Sequence, residues 1–334
     1  MTLHALTKTA FRSSSTQIAR MMSVYGPSES GHPSTSLRKK VTIQALQSMK
    51  EKRTPMSMLT AYDYPSALAC SSNPLIDITL VGDSLAQVCL GYNSTTELSL
   101  SEMIHHARAV ARGTTHPFIV ADMPFGSYQI SIEDTARNAV KLIQEGRVEG
   151  LKLEGGSEIR DTVRKLSGLG IPVMAHVGLL PQRHVAMSGY RVQGKDVDSA
   201  RKIINDALAL EEAGAFSIVL EAIPKELAAY VTQRLRIPTI GIGAGSQTDG
   251  QVSRSYLPIT LCRWHPQVLV WDDMMGTWAG HKAKFVRRFG DLKTERDSAI
   301  QKYAEAVKLR TFPDDSESYT MDKMAWEEVS RIME

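Results

Sequence analysis

The stretch Phe118–Asp122 reads FIVAD, a short apolar run of strand length that ends in an acidic residue. Seven similar stretches occur from about residue 41 onward, and longer segments with helical periodicity separate them. This alternation predicts βα units around a parallel sheet. The predicted helices include 101–112, 132–144 and 199–213. The eight predicted strands are 58–61, 78–81, 118–121, 151–153, 173–175, 217–220, 239–242 and 268–271.

The residues that follow these strands favour one architecture. The positions at or just after the strand ends hold Asp63, Asp83, Asp122, Glu154, His176, Glu221, Gly243 and Asp272. A (β/α)₈ barrel assembles its reaction centre at this rim and usually spans about 250 residues. A doubly wound open sheet would explain the alternation, but it would not bring acids from so many non-adjacent strands together. We therefore predict an α/β fold, a (β/α)₈ TIM barrel.

Composition excludes several other classes of protein. The chain has 334 residues, 43% hydrophobic and 22% charged, which is enough to bury a large core and excludes a disordered or fibrous protein. No apolar run approaches the ~20 residues of a bilayer span, so we expect no membrane insertion. Three cysteines without CxxC spacing favour a reducing compartment over disulfides or a Cys-rich zinc site.

The charge is uneven along the chain. Residues 1–28 contain three basic and no acidic residues, which leaves 36 of each in the remainder. A neutral body argues against a nucleic-acid partner. The opening segment is rich in hydroxyl residues and basic, as mitochondrial transit peptides are, although a disordered cytosolic N-terminus is the alternative. We predict a mitochondrial transit peptide and disordered connector over 1–40, the barrel over 41–318 and a helical extension over 319–334. Helices are expected at 294–307 and 321–332, outside the barrel or on a neighbouring subunit.

Two aspartates suggest a cation site. Asp83 and Asp122 follow two predicted strands, and carboxylates that meet at one barrel rim suit Mg²⁺, which prefers oxygen ligands. A single Asp at a strand end more often forms a turn or caps a helix. The pair together favours a metal site.

Four further side chains are candidates for this site. Alternation places Lys152 and Glu154 on one face of their strand, where buried charges are costly unless paired or liganded. Lys152 could meet a substrate carboxylate, and Glu154 could join the metal shell. Glu221 follows three aliphatic residues, so burial should raise its pKa toward the range of a general base, although a salt-bridged glutamate is the alternative. His176 taken alone also fits a buried core histidine.

Eight segments in order resemble the ketopantoate hydroxymethyltransferase family: 60–64, 81–85, 121–125, 152–156, 176–182, 189–194, 220–224 and 241–245. The resemblance runs from about residue 41 to about residue 318. It implies a Mg²⁺-dependent (β/α)₈ enzyme of pantothenate biosynthesis. Such an enzyme transfers a hydroxymethyl group from 5,10-methylenetetrahydrofolate to 3-methyl-2-oxobutanoate through a Mg-stabilised enolate, and the product is 2-dehydropantoate.

The resemblance also implies roles for individual residues. The metal ligands would be Asp83, Asp122 and Glu154, and Glu221 would accept the substrate proton. The keto-acid site would contain Asp83, Ser84, Asp122, Lys152 and His176. The resemblance further implies a homo-oligomer, such as a decamer.

Two other functions stay open on the sequence alone. One is a Mg²⁺-dependent aldolase or lyase that acts on 2-oxo acids without folate, and the other is a non-catalytic barrel scaffold. One segment departs from the family, because residues 252–267 interrupt the approach to the last strand. We interpret this insertion as translated intron sequence or a lineage-specific loop, and it leaves the placement of strand eight and Asp272 open.

Overall fold

A computed structural model describes residues 38–249, 268–277, 280 and 282–333. Nearly all of the predicted transit peptide and the whole predicted insertion, 252–267, lie outside these residues. Mitochondrial targeting and the origin of the insertion therefore stay predictions. So does the oligomeric state.

Eight parallel strands form the sheet, in the order β7-β6-β5-β4-β3-β2-β1-β8. They are β1 (Met58–Thr60), β2 (Ile78–Val81), β3 (Phe118–Asp122), β4 (Gly150–Glu154), β5 (Val173–Gly178), β6 (Ser217–Glu221), β7 (Thr239–Ile242) and β8 (Val268–Leu269). Each predicted strand has its counterpart, and helices alternate with the strands. The predicted (β/α)₈ TIM barrel is confirmed.

The barrel is nearly closed at β8. This strand pairs with β1 through Met58↔Val268 and Leu59↔Leu269. It also lies beside β7, but within the described part of the chain no ladder joins β7 to β8. The predicted strand 268–271 is too long, because a helix begins at Trp271, whose backbone N–H donates to Thr60 Oγ1 at 2.7 Å.

Eleven α-helices are described. They are α1 (Ile43–Glu51), α2 (Tyr64–Ser72), α3 (Leu85–Val88), α4 (Leu100–Gly113), α5 (Ile132–Gly146), α6 (Arg160–Gly168), α7 (Val197–Glu212), α8 (Lys225–Arg234), α9 (Trp271–Met275), α10 (Leu292–Lys308) and α11 (Lys323–Met333). Several begin at a side chain that accepts from the first turn, as Ser99 and Asp196 do for α4 and α7. Of the helices described, none has the length and apolar character needed to cross a membrane.

Alternation along the strands divides the apolar residues into two cores. On β4, Leu151 and Leu153 belong to the core between strands and helices. A second core contains Met174 and Val219 together with Leu46 of α1. Lys152 and Glu154 alternate with the two leucines and therefore face the barrel interior, as predicted.

The C-terminal helices differ from those of the barrel. The predicted helices at 294–307 and 321–332 are present as α10 and α11, and neither contains a buried residue. Their large side chains, including Tyr303 and Trp326, are exposed.

Candidate active site

A cavity of about 400 Å³ opens where the strands end. The ladder places Asp122 beside Lys152 and Glu154 beside His176, so residues distant in sequence become neighbours. All of the candidate site residues line this one cavity: Asp83, Ser84, Asp122, Lys152, Glu154, His176 and Glu221. The structure therefore brings together every side chain that the sequence suggested for the metal, the keto acid and the proton.

Asp83, Asp122 and Lys152 form a buried charged group. Asp122 Oδ1 lies 2.8 Å from Lys152 Nζ, and Asp122 Oδ2 accepts the Asp83 backbone N–H at 2.9 Å. Burial and the charge of Asp122 raise the pKa of Asp83 to about 7. Burial opposes the charge on Lys152, but Asp122, Glu154 and Asp83 outweigh burial and raise the pKa of the lysine. Lys152 therefore remains an ammonium ion at neutral pH.

Glu154 offers an unpartnered oxygen to the cavity. Its Oε2 accepts the backbone N–H of Gln182 at 3.0 Å, whereas the buried Oε1 has no hydrogen-bond partner. Burial raises the pKa of Glu154 well above its usual value. An unsatisfied buried carboxylate oxygen is costly unless something binds it.

His176 stands between Lys152 and Glu221. Burial and the charge of Lys152 lower its pKa well below the usual value, so the ring is neutral. Lys152 Nζ lies 3.4 Å from His176 Nδ1, and an ammonium ion can only donate, so Nδ1 accepts and we assign the proton to Nε2. Nε2 lies 3.1 Å from Glu221 Oε2, without the angle of a good hydrogen bond.

Glu221 ends β6, and its side chain is 12% exposed. Burial raises its pKa to about 8, although the charge of Lys152 acts in the opposite direction. This direction agrees with the expectation from the aliphatic residues before it. Within the described residues, His176 is the one basic side chain at ion-pair distance, so the alternative of a glutamate salt-bridged to lysine or arginine is not supported.

Gln182 is a site residue that sequence reasoning missed. This buried residue donates from Nε2 to Asp83 Oδ2 at 2.9 Å and to the Met123 carbonyl at 3.0 Å. Its Oε1 accepts from Tyr128 Oη at 2.8 Å, which fixes the orientation of the amide. Gln182 thus holds Asp83 with its side chain and Glu154 with its backbone. It lies in the segment 176–182, but a glutamine in a loop carries no chemical signature of its own.

Ser84 is held by a pair of hydroxyl groups that the sequence did not reveal. Its Oγ lies 2.8 Å from Tyr62 Oη, which in turn is 2.9 Å from Thr60 Oγ1. Tyr62 is buried, and Ser84 is partly exposed on the cavity wall. This arrangement fixes the serine hydroxyl beside Asp83.

Two acids at predicted strand ends do not join the cluster. Asp63 is exposed and caps α2, where its carboxylate accepts the Ser66 backbone N–H at 2.8 Å. Asp272 lies inside α9 instead of following a strand, and its carboxylate accepts a hydrogen bond from the Thr277 hydroxyl.

At Gly243, which has a φ of +62°, a Cβ atom would lie 2.8 Å from the Phe285 ring, so glycine permits this close approach.

The donor set fits a divalent cation. Asp83, Asp122 and Glu154 are buried around one ammonium ion, and one oxygen of Glu154 lacks a partner. Over the described ranges, no three Asp, Glu, His or Cys side chains converge closely enough to hold an ion by themselves. Mg²⁺ is usually held by one or two carboxylates, together with waters and substrate oxygens. The arrangement therefore fits Mg²⁺ better than an ion enclosed by protein ligands.

The raised pKa of Glu221 predicts a pH-dependent stability difference. The pKa of Glu221 is about 8 in the folded protein, against an ordinary value of 4.5. The folded state therefore binds this proton more tightly than the unfolded state does. The resulting stabilisation is complete below about pH 4 and is lost as pH rises through about 8. Glutamine cannot ionise, so the Tm of metal-free Glu221→Gln minus that of the metal-free wild type should increase by at least about 2 °C between pH 5 and pH 9. Calorimetry in EDTA measures it. A difference that stays constant over this range would contradict the burial of an ionisable group at Glu221.

Comparison with known proteins points to one family. A family model described as Ketopantoate hydroxymethyltransferase matches residues 40–255 and 263–315, and the break between them falls within the predicted insertion. A protein of Carboxydothermus hydrogenoformans is 46% identical over 282 residues, which are 84% of this chain and 96% of that protein. One of Emericella nidulans is 44% identical over 288 residues, or 86% and 78% of the two chains. Both are named 3-methyl-2-oxobutanoate hydroxymethyltransferase.

Solved structures support the fold. Phosphonopyruvate hydrolase in complex with oxalate and Mg²⁺ superimposes with a TM-score of 0.52 at 12% identity, over 88% of this chain and 96% of that one. Phosphoenolpyruvate phosphomutase from Streptomyces platensis gives 0.50 at 10% identity, over 87% and 96%. At such low identity the likeness concerns the architecture alone.

Proposed function

Since this chain belongs to the ketopantoate hydroxymethyltransferase family and is a transferase, we propose that it moves a hydroxymethyl group from 5,10-methylenetetrahydrofolate to 3-methyl-2-oxobutanoate. The product would be 2-dehydropantoate, an intermediate of pantothenate biosynthesis. The observation that carries the proposal is the gathering of Asp83, Asp122, Lys152 and Glu154 in one cavity that Glu221 also lines.

The carboxylates would hold the metal. Asp83 and Asp122 are the proposed Mg²⁺ ligands, and Glu154 is the third acid of the site, directly or through water. Bound Mg²⁺ would supply Lewis-acid stabilisation of negative charge on the carboxylate and 2-oxo oxygens of the keto acid. Gln182 orients two of these acids and would keep their positions fixed when the site is empty or filled.

Glu221 would remove the proton from C3 of the keto acid. Its raised pKa makes the ionised carboxylate a stronger base than an exposed glutamate. His176 Nε2 lies 3.1 Å from one carboxylate oxygen of Glu221 and so places a neutral ring directly beside the proposed base. Lys152 places a permanent positive charge in the same cavity, where it would stabilise the enolate formed from the keto acid.

The one-carbon transfer then balances as follows. The C3–H electron pair becomes the enolate, and C3 forms a bond to the methylene carbon of the folate. The bonds from that carbon to the folate nitrogens break, and water supplies the hydroxyl oxygen of the product. The two folate nitrogens gain one proton each, which balances the proton that Glu221 removed from C3 and the one that water loses, and tetrahydrofolate leaves.

An omission assay tests the proposal. The purified full-length protein is incubated with 3-methyl-2-oxobutanoate, methylenetetrahydrofolate and Mg²⁺, each left out in turn, and 2-dehydropantoate is measured. We expect the product only when all three are present. Turnover of the keto acid without folate would favour the aldolase or lyase. Absence of turnover under every condition would favour the non-catalytic scaffold.

A further inference from the structure

The cavity has more space and more apolar wall than a small keto acid needs. Its volume of about 400 Å³ lies within the range of about 300–1,000 Å³ that accommodates ligands much larger than a keto acid. Its acidic groups come from the strand ends. Other parts of its wall are apolar or aromatic, including Val88, Pro181, Val270 and Phe285. The second substrate must therefore meet a surface of a different kind from the acid cluster.

Tyr190 is the most exposed aromatic ring on this wall. The residue lines the cavity and is nevertheless 56% exposed. Its ring stacks on that of His184, with centroids 5.4 Å apart and an angle of 4° between the planes. One face of the tyrosine is thus supported by the histidine, and much of the rest is open to a ligand.

Backbone hydrogen bonds fix the loop that carries Tyr190. The Gly189 N–H donates to the His184 carbonyl at 2.7 Å, and the Met187 N–H donates to the Arg183 carbonyl at 3.0 Å. Farther along, the Gln193 N–H donates to the Ala222 carbonyl, next to Glu221, at 2.9 Å. These bonds fix the stacked pair relative to the strand end that supplies the proposed base.

The pKa of the Tyr190 phenol is also affected by the buried acids of the site. Burial raises its pKa, and the charges of Asp83, Glu221 and Glu154 raise it further. The hydroxyl end of the ring therefore lies within electrostatic range of the proposed reaction centre.

We propose that Tyr190, supported by His184, is the platform on which the planar pteridine ring of the folate co-substrate stacks. This assignment rests on the proposed function and adds the subsite for its second substrate. A flat heteroaromatic ring offers a large face to a tyrosine ring, and stacking of this kind contributes substantially to binding. From that position the folate would present its one-carbon unit toward Glu221 and the keto acid.

Three variants test this subsite. Tyr190→Leu keeps an apolar side chain but removes the ring, Tyr190→Phe keeps the ring, and Tyr64→Leu replaces an exposed tyrosine on α2 outside the cavity. We expect Tyr190→Leu to raise the KM for methylenetetrahydrofolate about tenfold or more and to weaken tetrahydrofolate binding in calorimetry by a similar factor. The KM for the keto acid should change much less. Tyr190→Phe should stay within about threefold of the wild type for both substrates, and Tyr64→Leu should behave as the wild type.

The outcomes separate the subsite from the function. An unchanged KM for folate in Tyr190→Leu would overturn the assignment, and so would an equal rise in both KM values, because Tyr190 would then serve the keto acid. Formation of 2-dehydropantoate by the wild type in the omission assay reports on the proposed function, whatever residue binds the folate ring. A wild type that forms this product only with folate, combined with an unchanged folate KM in the leucine variant, would leave the function standing and remove only the subsite.

Discussion

Replacing Glu221 with glutamine should reduce the exchange of the C3 hydrogen of 3-methyl-2-oxobutanoate for deuterium by at least about a hundredfold, which is the usual contribution of a general base. The amide preserves the shape of the side chain but cannot accept the proton. The acids and Lys152 are unchanged, so binding of the keto acid in the presence of Mg²⁺ should remain within about threefold of the wild type. Proton NMR in D₂O measures the exchange, and calorimetry measures binding.

A matched control is available on the next helix. Glu226 lies in α8, is exposed and has Lys225 as its ion-pair partner. Glu226→Gln removes a carboxylate a few residues away without touching the cavity, so its exchange rate should equal that of the wild type. Undiminished exchange in Glu221→Gln would remove Glu221 from the role of base and direct attention to another group in the cavity.

Asp122→Asn should have an effect of comparable size through the metal. Asparagine can still accept the Asp83 N–H, but it loses the negative charge that faces Lys152 at 2.8 Å. A Lewis acid contributes several kcal/mol to such reactions, so hydroxymethyl transfer should fall by at least about a thousandfold. Binding of Mn²⁺, followed by electron paramagnetic resonance, should weaken by at least about tenfold.

Asp63→Asn is the control for this change. Asp63 also follows a strand, but it is an exposed helix cap, and asparagine caps helices about as well as aspartate. Its Mn²⁺ affinity and turnover should therefore match those of the wild type. If Asp122→Asn binds Mn²⁺ as tightly as Asp63→Asn does, Asp122 is not a metal ligand.

The contrast between Asp63 and Asp83 shows what local sequence could have revealed. Both follow predicted strands, but Asp63 has Ser66 three residues later, and the two form a capping box. Asp83 is followed by Ser84 and Leu85 and has no such partner at that spacing. Attention to the capping pattern would have separated the helix cap from the buried acid before the structure.

The strands were predictable because the features that define them lie within short runs of neighbouring residues. Runs such as Phe118–Asp122 combine strand length with apolar character, and the alternation of Lys152 and Glu154 with leucines indicated which face each would take. Strand β8 was predicted too long because the start of α9 depends on a contact between Trp271 and Thr60, 211 residues apart. Such contacts cannot be inferred from a window of neighbouring residues.

The charged residues of the site could be predicted from the sequence, but the neutral residues that orient them could not. Buried acids and a lysine at strand ends are conspicuous because burial of charge is costly. Gln182 donates to Asp83 and is itself oriented by Tyr128, whereas Tyr62 holds the hydroxyl group of Ser84. Neutral polar residues are common in loops and strands, so only the fold shows which of them meet the acids.

The two-sided pattern of β4 limits how this enzyme can vary in length during evolution. Leu151 and Leu153 face the helices, while Lys152 and Glu154 face the cavity. Deleting or duplicating a single residue upstream within this strand would exchange the faces of the two pairs. The charged side chains would then enter the apolar core between strands and helices, and the leucines would enter the cavity. Insertions and deletions of residues are therefore expected in the connecting loops. Within the strands, substitutions should be tolerated far more readily than the insertion or deletion of a single residue.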